Sequence, residues 1–535
     1  MDGNGDGIGD LEGVLSKLDY IKSLGADAIW FSPLYPSPNA DYGYDIADYK
    51  NISKDYGSLE LFKKVLDEAH LRGMKVIMDL VINHTSDEHP WFIESRKDKN
   101  SPYHDYYFWR KGRGKRTPNN WSSLFEGGAW EYDKALDEYY LHLFAKKQPD
   151  LNMDNPAVRE EVKEIMRFWL KLGIDGFRED VITFISKKEG LPNGLPLPIG
   201  GGMRHYKNGP HIHEYLAEFR KVLDEYGAFS VGEAPMMDAK TALSYTREDS
   251  GRELDLMFHF EHMEADCLML DFIHIPFRLR RLKRAMSKWQ RKLYNKAWNA
   301  LYIENHDHAR IISRYGSEKY RTESGKMLAA MCYLQQGTPF IYQGQEIGMT
   351  NINLPELEMY KDIAVVNNYN TFKKLGLSHE RLMKLARATS RGSARTPVQW
   401  NSSENAGFTT GVPWFEVNPN YTEINVEREE RNPDSILNFY KKLLSFRKTS
   451  KAALWGEYKE HYKLSGKLYV YSRSYENERL LIICSFTEKP VRFKAPKCFE
   501  LSKGKLELWN YEDNPLTGNG FITRPYELRV YRLDK

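Results

Sequence analysis

The sequence predicts a (β/α)8 TIM barrel carrying an inserted domain and followed by a small antiparallel β-domain, with the barrel's first strand expected to be missing ahead of residue 1. Three observations point there. Short apolar, β-branched or aromatic runs alternate with amphipathic stretches, the pattern of parallel strands covered by helices. Polar residues gather just after those runs, the end of the strands where barrel sites lie. No glycine-rich phosphate loop is present, although an open doubly wound sheet would normally show one.

The first strand-like run is DAIWFSPL at 27 to 34, and LELFKKVLDEAHLRG after it is an amphipathic helix ending at Gly73. KVIMDLVI at 75 to 82 follows, with Asp79, Asn83 and His84 at its end. Residues 85 to 150 then lose the alternation and fill with Trp, Tyr, Gly and Asn, an excursion of the length usually tied to function. The alternation resumes with GFREDV at 176 to 181, FSVGEA at 229 to 234, LDLMFHFE at 254 to 261, NALYIENHD at 299 to 307 and TPFIYQGQE at 338 to 346. Seven such strands are one short of a closed barrel, which would leave two backbone edges open. From about 456, KLYVYSRSY, RLLIICSF and YELRVYRL read as antiparallel strands. The expected division is therefore 1–84 and 151–455 for the barrel, 85–150 for the insertion (domain B) and 456–535 for the C-terminal β-domain.

Composition excludes several function classes. The formal net charge is +3 and the basic residues are dispersed, so nothing favours nucleic acid. The single basic run, RLRRLKR at 278 to 284, lies beside apolar residues at helical spacing and reads as a solvated helix face. No stretch approaches the roughly 20 apolar residues of a membrane span, and the start has no signal-peptide pattern, so a cytoplasmic protein without membrane contact is expected. Cys267, Cys332, Cys484 and Cys498 lack metal-ligand spacing and suit reduced core thiols. Aromatic residues reach 13%, which favours flat-faced ligands such as sugars.

The opening MDGNGDGIGD places oxygen donors at Asp2, Asn4, Asp6 and Asp10, with glycines between them that let the backbone curl. It reads either as a solvated turn or as a Ca²⁺ or Mg²⁺ cradle. In GFREDV, strand alternation sends Arg178 and Asp180 to one face and Phe177 and Glu179 to the other. An Arg beside an Asp keeps the carboxylate ionised, as a nucleophile requires, although a structural ion pair reads equally well. Glu233 ends an apolar strand, where low polarity would suit a general acid; an ordinary strand-end Glu is the plain alternative. Asp307 follows His306 in a tripeptide that turn chemistry also explains.

Taken together, DGNGDGIGD, DLVINHTS, QPDLN, GFREDV, VGEAP, ENHDHAR and ARTPVQW, in this order along the whole chain, resemble the alpha-amylase superfamily (glycoside hydrolase family 13), and within it the oligo-1,6-glucosidase group. The resemblance implies a retaining mechanism with Asp180 as nucleophile, Glu233 as acid and then base, and Asp307 as the carboxylate that stabilises the transition state. It also implies a glucose pocket of Asp41, Tyr44, His84, Arg178, His306 and Arg391, with Asp41 and Arg391 as an ion pair closing its end. Val181, directly after the nucleophile, is what α-1,6-specific members carry, although core packing on a strand would also choose Val. On the same grounds the opening loop is expected to hold a structural Ca²⁺ or Mg²⁺ on Asp2, Asn4, Asp6, the Ile8 carbonyl and Asp10, with no organic cofactor.

The expected activity is therefore exo-acting hydrolysis of terminal α-1,6-linked glucose from small oligosaccharides, by a monomer. Alternatives are an α-1,4-glucosidase or sucrose-active hydrolase, a glucosyltransferase of the sucrose isomerase type, and a non-catalytic relative. The chain departs from the group's pattern at Glu179, Ala234, His308, Ala309, Gly392 and Ser393, and between Cys267 and Arg284. By alternation Glu179 is expected to face the helix layer as a buried, unpaired carboxylate.

Overall fold

The computed structural model describes the chain apart from residues 115, 126, 248, 250, 269–272, 513–517 and 535, so four residues of the divergent Cys267–Arg284 stretch lie outside the description. All seven expected barrel strands are present: β1 (Ala28–Phe31), β2 (Lys75–Leu80), β3 (Gly176–Glu179), β4 (Phe229–Ala234), β5 (Leu256–His259), β6 (Ala300–Leu301) and β7 (Thr338–Pro339). The first five form one parallel sheet in chain order, while β6 and β7 pair only with each other. Pro339 has no N–H to give the ladder, and each of these last strands is two residues long. Among the described residues β1 pairs on one side only, so the sheet curls without closing.

Side chains complete the curl that hydrogen bonds do not. Trp30 of β1 stacks on Phe258 of β5 at 5.6 Å between centroids. Phe258 in turn meets Tyr302 at 5.3 Å and Phe340 at 4.6 Å. Strands far apart in the sequence thus share one apolar plug with Val231 and Leu256. Between β3 and β4 the approach is so close that a Cβ on Gly176 would lie 2.1 Å from the Phe229 carbonyl oxygen, which demands glycine there.

Helices follow the strands. α1 (Leu11–Leu24) starts at Asp10, whose side chain accepts the Gly13 N–H, and ends at Gly25 in the left-handed region, φ 100°. α2 (Leu59–Leu71) buries Phe62, Val65, Leu66 and Ala69, the expected 3.6-residue stripe. α3 (Pro156–Leu172) has Asn155 as its cap and a proline at its first position. α4 (Ile212–Tyr226) and α5 (Leu279–Leu293) cover the later strands. Lys283 of α5 departs from the expected solvated face: it is buried, its Nζ donating to the carbonyls of Tyr462, Ser465 and Leu468 at 2.7, 3.0 and 3.2 Å.

Within the insertion a small antiparallel sheet joins Trp109–Arg110, Glu138–Leu141 and Trp130–Asp133. Its base is tied to the segment after β2 by the pairing of His84 with Asp150, and to the chain that leaves the insertion by that of Tyr107 with Leu151. The C-terminal domain is a five-stranded antiparallel sheet, Glu457–His461, Leu468–Tyr475, Glu478–Ser485, Leu528–Asp534 and Lys505–Trp509 in spatial order. Its alternation is strict: Tyr469 and Tyr471 pack toward the barrel helices, while Leu468 and Val470 face a second apolar layer with Phe493. All four cysteines are free thiols; Cys267, Cys332 and Cys484 are buried as expected, but Cys498 is exposed.

Candidate active site

The ends of β2, β3 and β4 and the loops after β1 and β6 bring their polar side chains into one pocket around Arg178. This guanidinium is buried, with the rings of Trp30 and Tyr44 at 5.3 and 5.7 Å. Its Nη1 donates to Asp79 Oδ1 at 2.7 Å and Asp180 Oδ1 at 2.6 Å, and its Nη2 lies 2.7 Å from Glu233 Oε2. One cation therefore holds three carboxylates. Glu233, expected in apolar surroundings, instead also accepts the Val181 N–H at 3.1 Å.

This crowding bears on two of the three carboxyls. Burial pushes the Asp180 carboxyl well up; Arg178 opposes that, but Glu233 and Asp79 add to it, and a hydrogen bond to Glu233 favours the protonated form. Asp79 is raised too, again mainly by burial. Arg178 thus favours the ionised Asp180 carboxylate, as the sequence suggests, but burial and the neighbouring carboxylates pull the other way and outweigh it.

Val181 does not lie on a strand. β3 ends at Glu179, and Val181 follows with φ 37° and ψ 37°, a left-handed conformation that strongly disfavours a β-branched side chain. Its amide is held by Glu233, so local strain and the carboxylate pair are mechanically linked. Glu179 behaves as alternation requires: it faces away from Arg178, is buried, and its Oε2 has no hydrogen-bond partner among the described residues.

On the opposite wall Tyr44 Oη donates to Asp79 Oδ2 at 3.1 Å and is 2.8 Å from His306 Nε2. His306 Nε2 lies 3.1 Å from Asp307 Oδ2, while Arg391 Nη1 and Arg395 Nη2 reach Asp307 Oδ1 at 3.3 and 3.2 Å. Partial burial raises the Asp307 carboxyl, but His306 and the two guanidiniums outweigh it and hold this acid well below the usual range. Asp307 is thus favoured as an anion, whereas burial pushes Asp180 and Asp79 the other way.

The expected Asp41–Arg391 ion pair is not formed. Arg391 turns to Asp362, with its Nε 3.2 Å from Oδ1 and its backbone N–H 2.8 Å from Oδ2. Asp41 instead accepts from Gln148 Nε2 at 3.1 Å, and burial raises its pKa to about 6 against the attraction of Arg391 and Arg395. Gln148 also meets His84 Nε2 at 3.1 Å, and burial lowers His84 to about 4, so the ring is neutral. Asn83 Nδ2 lies 3.2 Å from His84 Nδ1 and donates to Asp150 Oδ2 at 3.1 Å. Lys187 Nζ, fully buried, completes this floor at 2.8 Å from Asp150 Oδ2 and 2.9 Å from Asn83 Oδ1.

Every expected pocket residue is thus present in one place, and sequence reasoning missed roles for Asp79, Gln148, Lys187, Asp362 and Arg395. Gln148 and Arg395 stand inside recognisable motifs; Asp362 and Lys187 carry no local signal.

The opening loop is organised differently. Asp2 Oδ1 accepts the amides of Asn4 and Gly5 at 3.1 and 2.7 Å, and its Oδ2 accepts that of Gly7 at 2.8 Å and the Thr409 hydroxyl at 2.5 Å. Asp10 accepts from Gly3, Asn4 and Gly13, and Asp6 Oδ1 accepts from Ile8 at 2.8 Å. The donor set has the hard oxygens that suit Ca²⁺ or Mg²⁺, yet they are aimed at the loop's own amides. Among the described residues no three acidic, His or Cys side chains converge as ligands of one ion.

The family model for the alpha-amylase catalytic domain matches residues 1–456. The chain belongs to the alpha-amylase family. An oligo-1,6-glucosidase of Parageobacillus thermoglucosidasius is 49% identical over 540 residues, covering 99% of this chain and 96% of the relative. Among solved structures, the trehalose-6-phosphate hydrolase of Bacillus licheniformis has a TM-score of 0.94 at 42% identity, covering 100% of this chain and 97% of its own. The isomaltulose synthase of Klebsiella sp. LX3 has a TM-score of 0.95 at 40% identity, covering 99% and 96%. This alpha-amylase family member is an enzyme, a glycoside hydrolase. Among its described residues no helix is long and apolar enough to cross a membrane.

Proposed function

We propose that this hydrolase is a retaining, exo-acting α-glucosidase that releases terminal α-1,6-linked glucose from short isomaltose-type oligosaccharides. The observation that carries the mechanism is the bridging of Asp180 and Glu233 by the two Nη atoms of one guanidinium. That bridge favours the retaining separation of about 5 Å over the roughly 6.5–9.5 Å that an inverting enzyme needs to seat a water. In this reading the proton of the Glu233 acid goes to the glycosidic oxygen, while Asp180 Oδ attacks the anomeric carbon and the aglycone leaves. Glu233, now a base, takes a proton from water, which attacks that carbon and breaks the glucosyl–Asp180 bond. Asp307, fixed as an anion, supports the positive charge of the transition state, and Tyr44, His84, His306, Asp41 and Arg391 hold the sugar.

Linkage choice rests on Val181 and on relatives that are oligo-1,6-glucosidases. Hydrolysis of isomaltose, maltose and sucrose by the purified protein tests it: isomaltose is expected to be fastest, glucose to appear as the α-anomer by NMR, and Asp180→Asn to abolish release. β-Glucose as first product would overturn the retaining mechanism; faster maltose or sucrose cleavage would overturn the linkage choice. For the opening loop we further propose a structural Ca²⁺ or Mg²⁺ on Asp2, Asn4, Asp6, the Ile8 carbonyl and Asp10, supported by donor chemistry.

A further inference from the structure

The basic run at the start of α5 is absorbed only in part by packing. Lys283 is buried on carbonyls, but Arg278, Arg280 and Arg284 are exposed, and none of Arg278, Arg280, Arg281 and Arg284 has a carboxylate at ion-pair distance among the described residues. The four arginines are among the residues lining an open cavity of about 620 Å³ between the helix start and the C-terminal β-domain. Phe277 and Phe486 form its walls, with ring centroids 6.0 Å apart and planes inclined by 29°. The cavity shares no lining residue with the Arg178 pocket.

One further feature adds positive charge beside this space. Arg281, part-buried, is anchored through Nη2 on the Cys267 carbonyl at 3.0 Å. The helix begins without a side-chain cap, so its first amides and the positive end of its dipole add to the guanidiniums. Guanidinium forks match phosphate oxygens in geometry and charge, and the three exposed ones, Arg278, Arg280 and Arg284, exceed what one phosphate group would balance. The aromatic walls and the volume leave room for an organic body beside the phosphates.

We propose that this cavity binds an organic phosphate carrying two or more phosphate groups. Calorimetric titration of the full chain tests it, with ATP, inorganic triphosphate and inorganic phosphate as probes. ATP and triphosphate are expected to bind at least about tenfold more tightly than phosphate, less tightly as salt rises, and unchanged in saturating isomaltose. Charge reversal by Arg280→Glu with Arg284→Glu is expected to weaken ATP by about tenfold or more, and the milder Arg280→Gln with Arg284→Gln by less, with helical content intact. Lys63→Glu with Lys75→Glu, on another face, is expected to leave affinity alone. Absence of binding, equal affinity for all three probes, displacement by isomaltose, or the same loss in the lysine control would each overturn the proposal.

Discussion

Replacing Glu179 by Leu is expected to stabilise the protein, and by an amount that depends on pH in a calculable way. The Glu179 carboxyl is buried; Arg220, the nearest attractive charge, is engaged with Asp255 at 3.0 Å. Burial first, and the charge of Asp255 second, raise its pKa from 4.5 to about 8. A raised pKa means that the folded state keeps a proton the unfolded chain releases. Stability is therefore full below pH 4.5 and falls as pH rises toward 8. The loss is about 3 kcal/mol at pH 7 and about 5 kcal/mol once the folded carboxyl ionises. For a chain of this length that corresponds to about 3 °C in Tm at pH 7. Thermal unfolding of wild type, Glu179→Leu and Glu179→Gln at pH 5, 7 and 8.5 measures it, with activity as control, since Glu179 faces away from Asp180. A gain that does not grow with pH, or a loss, would refute the reasoning.

Asp41, held near pKa 6, is neutral below that pH and anionic above it. The acid limb of kcat/KM is expected to include a step near pH 6 that Asp41→Asn removes while raising KM; an unaltered limb in the variant would count against this assignment. Val181→Thr is expected to lower the isomaltose-to-maltose ratio of kcat/KM by about tenfold, or about 1.4 kcal/mol. A ratio unchanged within a factor of two would remove Val181 from the specificity account. Ca²⁺ at about 100 times its Kd is expected to add about 2.7 kcal/mol of stability, reversed by EDTA, and an unresponsive Tm would sink the cation on the opening loop.

The strands were legible because each ends in polar residues that a core would not tolerate, and Glu179 was legible from alternation alone. Arg178, Asp180 and Glu233 were readable as candidates from their positions at strand ends. Their mutual electrostatics were not, since the sequence shows one Arg beside one Asp and hides Asp79, a strand away in the sheet. The Asp41–Arg391 pairing failed for a similar reason: Asp362 lies 29 residues before Arg391 in a stretch without any motif, yet it takes both the side chain and the backbone amide. Lys187 was invisible because a lysine in a loop ordinarily points to water. The open edges of the barrel were expected, but β6 and β7 are shorter than expected: strand-like composition ran well past the two residues that pair in each.

The joint between the insertion and the barrel carries its positive charge on a side chain. Lys187, gripped by Asp150 and Asn83, does there what a bound metal ion does elsewhere: it draws oxygens from two separate segments onto one point. A charge tethered to the backbone is not lost on dilution or to a chelator, so the wall that bears His84 keeps its shape whatever the ionic composition around it.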